Sequence, residues 1–370
     1  MASFLTLPID AVQSGMVFGE SIPDETGRNL VEAGSVANQY EIHQLKKLGV
    51  RNVLIRIGRA GAPQDAISAN EGAVVSPRAA RQIALLRKPD PARVELTASV
   101  KQRINDGIQM IYTNPDPKLL AGTATAITND LMAAIESNNA VALNINDLKT
   151  SDEYTFKHSV DVATIAMIIA RNRGYQRQQV YEIGEAGLLH DIGKTKVPPE
   201  ILNKPGRLTD EEFRIMKRHS AYSFVMIARN REISRDVKFA VLQHHEKIDG
   251  TGYPDHLEGD QIHPYARILA VSDIYDALVT DRPYKKGYSP REAVELMMTM
   301  TSQLDMDDFN SFLSTMILYP VDSIVHLSNG ETARVVKKSD SLILRPTVVN
   351  IRTGEVYNLE SARYANIVIT

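Results

Sequence analysis

The sequence predicts a mainly α protein: an all-helical central domain flanked by a small N-terminal α/β module and a small C-terminal β module. Three observations predict it. Apolar residues recur at helical spacing in successive segments from about residue 77 to residue 300. Capping signatures and prolines punctuate those segments where helices start and stop. Before residue 57 and after residue 320 the pattern changes to short, β-branched runs broken by glycine turns. The boundaries read as 1–57 for the N-terminal module, 58–130 for a linker and helices, 131–320 for the central domain and 321–370 for the β module.

The elements follow in order. Phe4 to Ile9 reads as a strand, Asp24 to Gly27 as a turn, and Glu41 to Leu48 as a short helix stopped by Gly49. Val50 to Ile55 alternates like a half-buried strand. Gly58 to Gly72, rich in Gly, Ala and Pro, reads as a linker. Helical patterns at about 77–88, 92–111 and 117–138 are separated by Pro89, Pro91, Pro115 and Pro117. Ser159 to Arg173 carries Val160, Ala163, Ile165, Ile168 and Ile169 on a helical repeat ended by Gly174, and Val180 to His190 forms the next helix. Thr209 to Glu212 is a capping box expected to open the helix that carries His219. Val237, Ala240, Val241, His244 and His245 share one broad helical face. Tyr265 to Thr280 is a further helix, and Ser289 to Glu292 a second capping box with Pro290 at the first helical position. Val321 to Val336 reads as a hairpin across Ser328, Asn329 and Gly330, and Leu342 to Thr370 as further strands.

Composition excludes several function classes. The chain has 370 residues, 43% hydrophobic and 24% charged, with a net charge of -3, so no sequence-wide basic field invites nucleic acid. Cysteine is absent, which excludes a disulfide framework, cysteine-bound zinc and thiol catalysis. No apolar run approaches the roughly 20 residues of a membrane span, and no secretory signal pattern opens the chain, so a cytoplasmic location is expected.

The chemistry lies in seven residues: His158, His190, Asp191, His219, His244, His245 and Asp273. Five of the nine histidines fall between residues 158 and 245. Any one of them alone reads more readily as a packed or solvated side chain. The adjacent pairs His190-Asp191 and His244-His245 change that reading, because burying them without partners costs several kcal/mol. Imidazole and carboxylate together suit a divalent metal, and seven donors exceed the need of one ion. Two metals held by nitrogen and oxygen point to phosphate-ester hydrolysis. Lys194 can reach the same pocket as a clamp on phosphoryl oxygens or as a proton donor. Asp276, one turn after Asp273, can orient a ligand or pair with Lys194. The run Asp249 to Pro254, with Gly252 and Tyr253, follows the paired histidines and offers backbone N–H groups and an aromatic face to a substrate. His43, His256, His263 and His326 read as surface or loop residues.

His190-Asp191-Ile192-Gly193-Lys194, with His244-His245-Glu246-Lys247-Ile248-Asp249-Gly250-Thr251-Gly252-Tyr253-Pro254, resembles the HD-GYP subgroup of HD-domain phosphohydrolases. Lys204-Pro205-Gly206 and Asp281 to Lys285 support the resemblance, which covers residues 130 to 320. It implies an all-helical HD-type domain with a centre of two or three iron or manganese ions. It also implies a phosphodiesterase that opens cyclic di-GMP to pGpG and can continue to GMP. The seven residues match its metal ligands, Lys194 its phosphate-facing lysine, and Arg282 and Lys285 its substrate-phosphate contacts. Where members with a third metal carry a glutamate, this chain has Tyr154, so two ions are expected and a less efficient second cleavage. The expected chemistry is in-line attack by a hydroxide shared between two ions roughly 3.5–4 Å apart. Arg282 and Lys285 are expected to hold the second phosphate, and Tyr253 to stack on a guanine or shape the pocket lip. Asp191, with two oxygens, is the candidate to bridge both ions. Gly15-Met16-Val17 and Leu45 to Val50 are similar to a module that often precedes this domain, and proteins with a GGDEF domain are implied as partners. Two alternatives stand beside this reading: another cyclic dinucleotide such as 3′,3′-cGAMP as substrate, or a non-catalytic receptor and protein-interaction scaffold.

Overall fold

The computed structural model describes residues 3–9, 12, 18–23, 29–31, 35, 45–46, 50–57, 75–113, 117–137, 154–281, 286–339 and 341–370. Contacts divide the chain into two units, Met1–Ala73 with Ser323–Val325, and Val74–Asp322 with His326–Thr370.

In the first unit, β1 (Ser3–Pro8) pairs antiparallel with β4 (Asn52–Ile57), Ser3 opposite Ile57 and Pro8 opposite Asn52. A second small ladder joins β2 (Ile22–Pro23) to β3 (Asn29–Val31). Ile9, Val12, Phe18, Val31, Leu45 and Val53 form its apolar core. The expected turn at 24–27 and linker at 58–72 lie outside the described residues, as does most of the expected helix at 41–48.

The second unit is helical. α1 (Pro77–Leu86) starts where Ser76 accepts the N–H of Ala79 and proline occupies the first turn. α2 (Ala98–Thr113) begins six residues later than the apolar pattern suggests. Residues 94–97 carry no regular structure, and the Thr97 hydroxyl accepts the Val100 N–H instead, at 3.4 Å. α3 (Pro117–Ser137) follows. α4 (Tyr154–Asn172) is buried on every face from His158 to Ala170, with α2, α5 (Arg177–Leu189), α10 (Pro264–Val279) and α12 (Met306–Thr315) packed around it. A 3-10 turn (Ile192–Lys196) leads into α6 (Pro199–Leu202) and α7 (Asp210–Met216).

The Thr209 capping box forms as expected, but His219 does not ride on the helix it opens. The last turn of α7 tightens, Arg218 N–H bonding to Ile215, and α8 (His219–Ile227) starts afresh. α9 (Arg235–Gln243), α10 and α11 (Pro290–Met297) complete the bundle with α12, and the Ser289 capping box is present on α11.

The C-terminal sheet runs in the order β5 (Ile324–His326), β6 (Thr332–Lys337), β7 (Thr347–Asn350), β8 (Val356–Asn358). Its first hairpin turns at Gly330, which adopts φ +82°, with Leu327 N–H bonded to Glu331. Ala79 and Ile83 of α1 pack onto Val336 and Val349 of this sheet. Among the described residues no helix is long and apolar enough to cross a membrane.

Candidate metal centre

Helix ends supply most of the centre. α4 contributes His158, the C-cap of α5 is His190 with Asp191 beyond it, and the 3-10 turn carries Lys194. His219 is the first residue of α8, His244 caps the end of α9 with His245 following, and α10 presents Asp273 and Asp276 from its interior. Gly193 brings these ends together. A Cβ there would lie 2.1 Å from the carbonyl oxygen of His219 and 2.4 Å from the nitrogen of Ser223. Only glycine allows the 3-10 turn to seat against α8 in this way. The Ser223 hydroxyl accepts the Gly193 N–H at 2.8 Å and fixes the contact.

All seven donors converge. Asp191, His219, His244 and His245 form one group, and His158, His190 and Asp273 another, the donor atoms within 4.8 Å of one another in each. Asp191 stands between them. Its Oδ2 lies 3.2 Å from His190 Nε2 and 3.4 Å from His158 Nε2, and its Oδ1 lies 3.3 Å from His219 Nε2. Asp273 reaches His158 Nε2 at 3.1 Å and His245 Nδ1 at 3.6 Å.

The histidines are oriented from behind. Nδ1 of His190, His219 and His244 each meets the carbonyl three residues earlier, Gly187, Met216 and Val241, at 2.7, 2.8 and 2.8 Å. Nδ1 of His158 meets Asp276 Oδ2 at 2.6 Å. Donation from each Nδ1–H leaves Nε2 with its lone pair inward, as a metal ligand requires. His190 Nε2 and Asp191 Oδ1 are buried with no hydrogen-bond partner among the described residues. Buried polar atoms left in that state are costly unless a cation completes them, so the donor set fits divalent metals.

Electrostatics agrees. Burial, reinforced by the neighbouring imidazoles, holds His244 well below its ordinary range. Burial brings His245 down to about 3 despite Asp273, and also lowers His219. For Asp191, burial favours the neutral acid, but His190 and Lys194 outweigh it and keep the carboxylate ionised. Burial likewise opposes ionisation of Asp273, and His158 with His245 outweighs it. His158 alone is driven upward, its three carboxylate neighbours overcoming its burial. The lowered His219, His244 and His245 and the ionised Asp191 and Asp273 are already in the states that bind metal, whereas His158 must give up a proton to do so.

The remaining expected residues fall around this cluster. Lys194 pairs with Asp191, and Asp276 serves His158 rather than Lys194. Gly252 packs so tightly that a Cβ would lie 2.4 Å from Glu246 Cα. Tyr253 lies against the His245 ring, 4.7 Å between centroids. Tyr154 is the first residue of α4, one turn ahead of His158. Arg282 and Lys285 lie outside the described residues. His263 is half-buried and caps α10 by accepting the Tyr265 N–H, whereas His256 and His326 are exposed.

Two contributors escape a reading of the sequence alone. Buried Glu246 clamps the glycine-rich loop, its two oxygens accepting the N–H groups of Asp255 and Leu257 at 2.7 and 3.1 Å. A carboxylate placed between the paired histidines and a glycine-rich loop, whose backbone N–H groups need acceptors, was the available signal. Gln243 ties α9 to α10 by accepting the His263 N–H at 2.7 Å, and nothing in its local sequence marks it.

Several known proteins resemble this chain. The HD domain family model matches residues 142–308. A cyclic di-GMP phosphodiesterase of Pseudomonas aeruginosa is 35% identical over 319 residues, 84% of this chain and 76% of that protein. A cyclic di-GMP phosphodiesterase of Thermotoga maritima is 40% identical over 154 residues, 41% of this chain and 42% of that protein. The 3′3′-cGAMP-specific phosphodiesterase 1 of Vibrio cholerae is 35% identical over 157 residues, 42% of this chain and 35% of that protein. Together with the His-Asp centre and its glycine-tyrosine-proline loop, these likenesses mean that the chain belongs to the HD-GYP family of cyclic di-GMP phosphodiesterases.

Proposed function

We propose that this chain hydrolyses cyclic di-GMP to pGpG at a centre of two divalent ions, iron or manganese. The observation that carries the reading is Asp191, whose two oxygens face the two donor groups. His158, His190 and Asp273 would hold one ion and His219, His244 and His245 the other, with Asp191 shared. When bound, such ions supply Lewis acidity, lowering the pKa of a coordinated water and neutralising charge on the phosphoryl oxygens.

The chain's own groups do the rest. Asp276 holds the His158 ring in the tautomer that keeps Nε2 free. Lys194, held on Asp191, brings its positive charge to a phosphoryl oxygen or to the departing sugar oxygen. Gly252 and Tyr253 form the lip on which a guanine can stack, and Arg282 and Lys285 are assigned the second phosphate. With Tyr154 where a further carboxylate would stand, two ions are the full complement and pGpG is the main product. A cytoplasmic location and GGDEF-domain partners, which would supply the substrate, complete the proposal.

The similarity to a 3′3′-cGAMP-specific enzyme supports a second reading, in which the mixed dinucleotide is the better substrate. Anaerobic purification, metal analysis and chromatography of products from cyclic di-GMP, 3′,3′-cGAMP and pGpG test both. Preferred turnover of cyclic di-GMP with accumulation of pGpG is expected. Binding without product, with reduced iron and with manganese, would refute hydrolysis.

A further inference from the structure

Lys217 lies between α7 and α8, two residues before His219, and is half-buried. Its ammonium sits 4.8 Å from the centroid of the Phe213 ring and 5.4 Å from that of Tyr253. Tyr253 in turn lies against His245, tilted 31°, and 6.3 Å from His219 between centroids. A positive charge is therefore held one aromatic ring away from two residues of the metal centre.

The manner of holding matters. Lys194 is engaged by Asp191 and Lys204 by Glu212, whereas among the described residues no carboxylate pairs with Lys217. Ring faces attract an ammonium through their quadrupoles but take up none of its three N–H donors in conventional hydrogen bonds. The Phe213 ring, 45% exposed, keeps an apolar surface open beside the charge. Fixed by rings and with its donors unclaimed by a carboxylate, the ammonium suits a tetrahedral anion as a point charge.

We propose that Lys217 adds a further contact, beyond those assigned above, to the phosphate of a cyclic dinucleotide that is not undergoing hydrolysis. The proposal rests on the function given above. One phosphate of such a substrate reacts at the metal centre, and the other must be neutralised nearby. Lys217 offers that charge on the side of the centre formed by Tyr253 and His245.

The test compares kcat/KM for cyclic di-GMP with kcat/KM for bis(p-nitrophenyl) phosphate, a diester that has no second phosphate. In Lys217→Met the ratio of the first to the second falls roughly tenfold, the worth of one charge-assisted contact, and Lys217→Arg restores most of it. Metal content of Lys217→Met stays at the wild-type level. A ratio within twofold of wild type would overturn the proposal, as would loss of metal from Lys217→Met, which marks a structural role. If the wild type cleaves the simple diester but no cyclic dinucleotide, the functional reading itself fails and takes the proposal with it.

Discussion

Single side chains decide whether this centre can form. His158 depends on Asp276, which is fully buried and touches His158 Nδ1 at 2.6 Å. Replacing Asp276 with Ala frees the ring to turn its proton inward, and affinity for manganese should fall about 10- to 100-fold in a metal titration. An unchanged affinity would mean that packing alone orients His158. Glu185 of α5 offers a different test. Burial, with the charge of Glu182 second, pushes its carboxyl up to about 7 from an ordinary 4.5. The folded protein therefore favours the protonated acid: stability is full below 4.5 and declines as pH rises through 7. Glu185→Gln should be more stable than wild type at pH 8, by on the order of 2 kcal/mol, and close to wild type below the unfolded pKa of 4.5. Unfolding in the two pH ranges checks the sign, and an equal difference in both excludes the mechanism.

At the scale of elements, the centre is an assembly of helix ends held by close backbone contacts. Gly193→Ala forces the 3-10 turn away from the first turn of α8, because its Cβ would meet backbone rather than a movable side chain. The separation of Asp191 from His219 should grow, metal occupancy should drop at least tenfold, and stability should fall by roughly 1–3 kcal/mol. Calorimetry with metal analysis measures both. Glu246→Ala strands the N–H groups of Asp255 and Leu257, and should raise KM through a loosened Tyr253 loop while metal content stays near wild type. Loss of metal without a change in KM would contradict that division of labour. Much of this level was legible in the sequence. Helical periodicity and the Thr209 and Ser289 caps located their helices, and the pairs His190-Asp191 and His244-His245 pointed to the buried polar cluster in which the structure places them, because such pairs are costly to bury without partners. The break between α7 and α8 was not legible, since it depends on the turn around Gly193 arriving from elsewhere in the chain. Nor was Glu246, whose partners are backbone groups rather than a patterned side chain. The late start of α2 was hidden because the apolar pattern continues through residues 94–97, which have no regular structure.

Over the whole molecule, long-range contacts fix what local pattern cannot. Arg87, just past α1, forms a forked ion pair with Asp322, 235 positions away, at 2.7 Å for its shortest contact. Lys88 N–H bonds to Val336 at 2.8 Å, so α1 and strand β6 belong to one unit although separate patterns encode them. Within that unit the buried α4 supports His158 on one side and the apolar core on the other, which couples metal binding to folding. In the proposed reaction two ions share Asp191 and hydrolysis requires them. The most direct measurement is metal content and cyclic di-GMP turnover of anaerobically purified wild type, chelator-stripped wild type and Asp191→Ala. About two ions per chain and turnover are expected for wild type, with both lost on stripping, both regained with iron or manganese, and neither present in Asp191→Ala. A fully stripped wild type that still converts cyclic di-GMP to pGpG would contradict the claim.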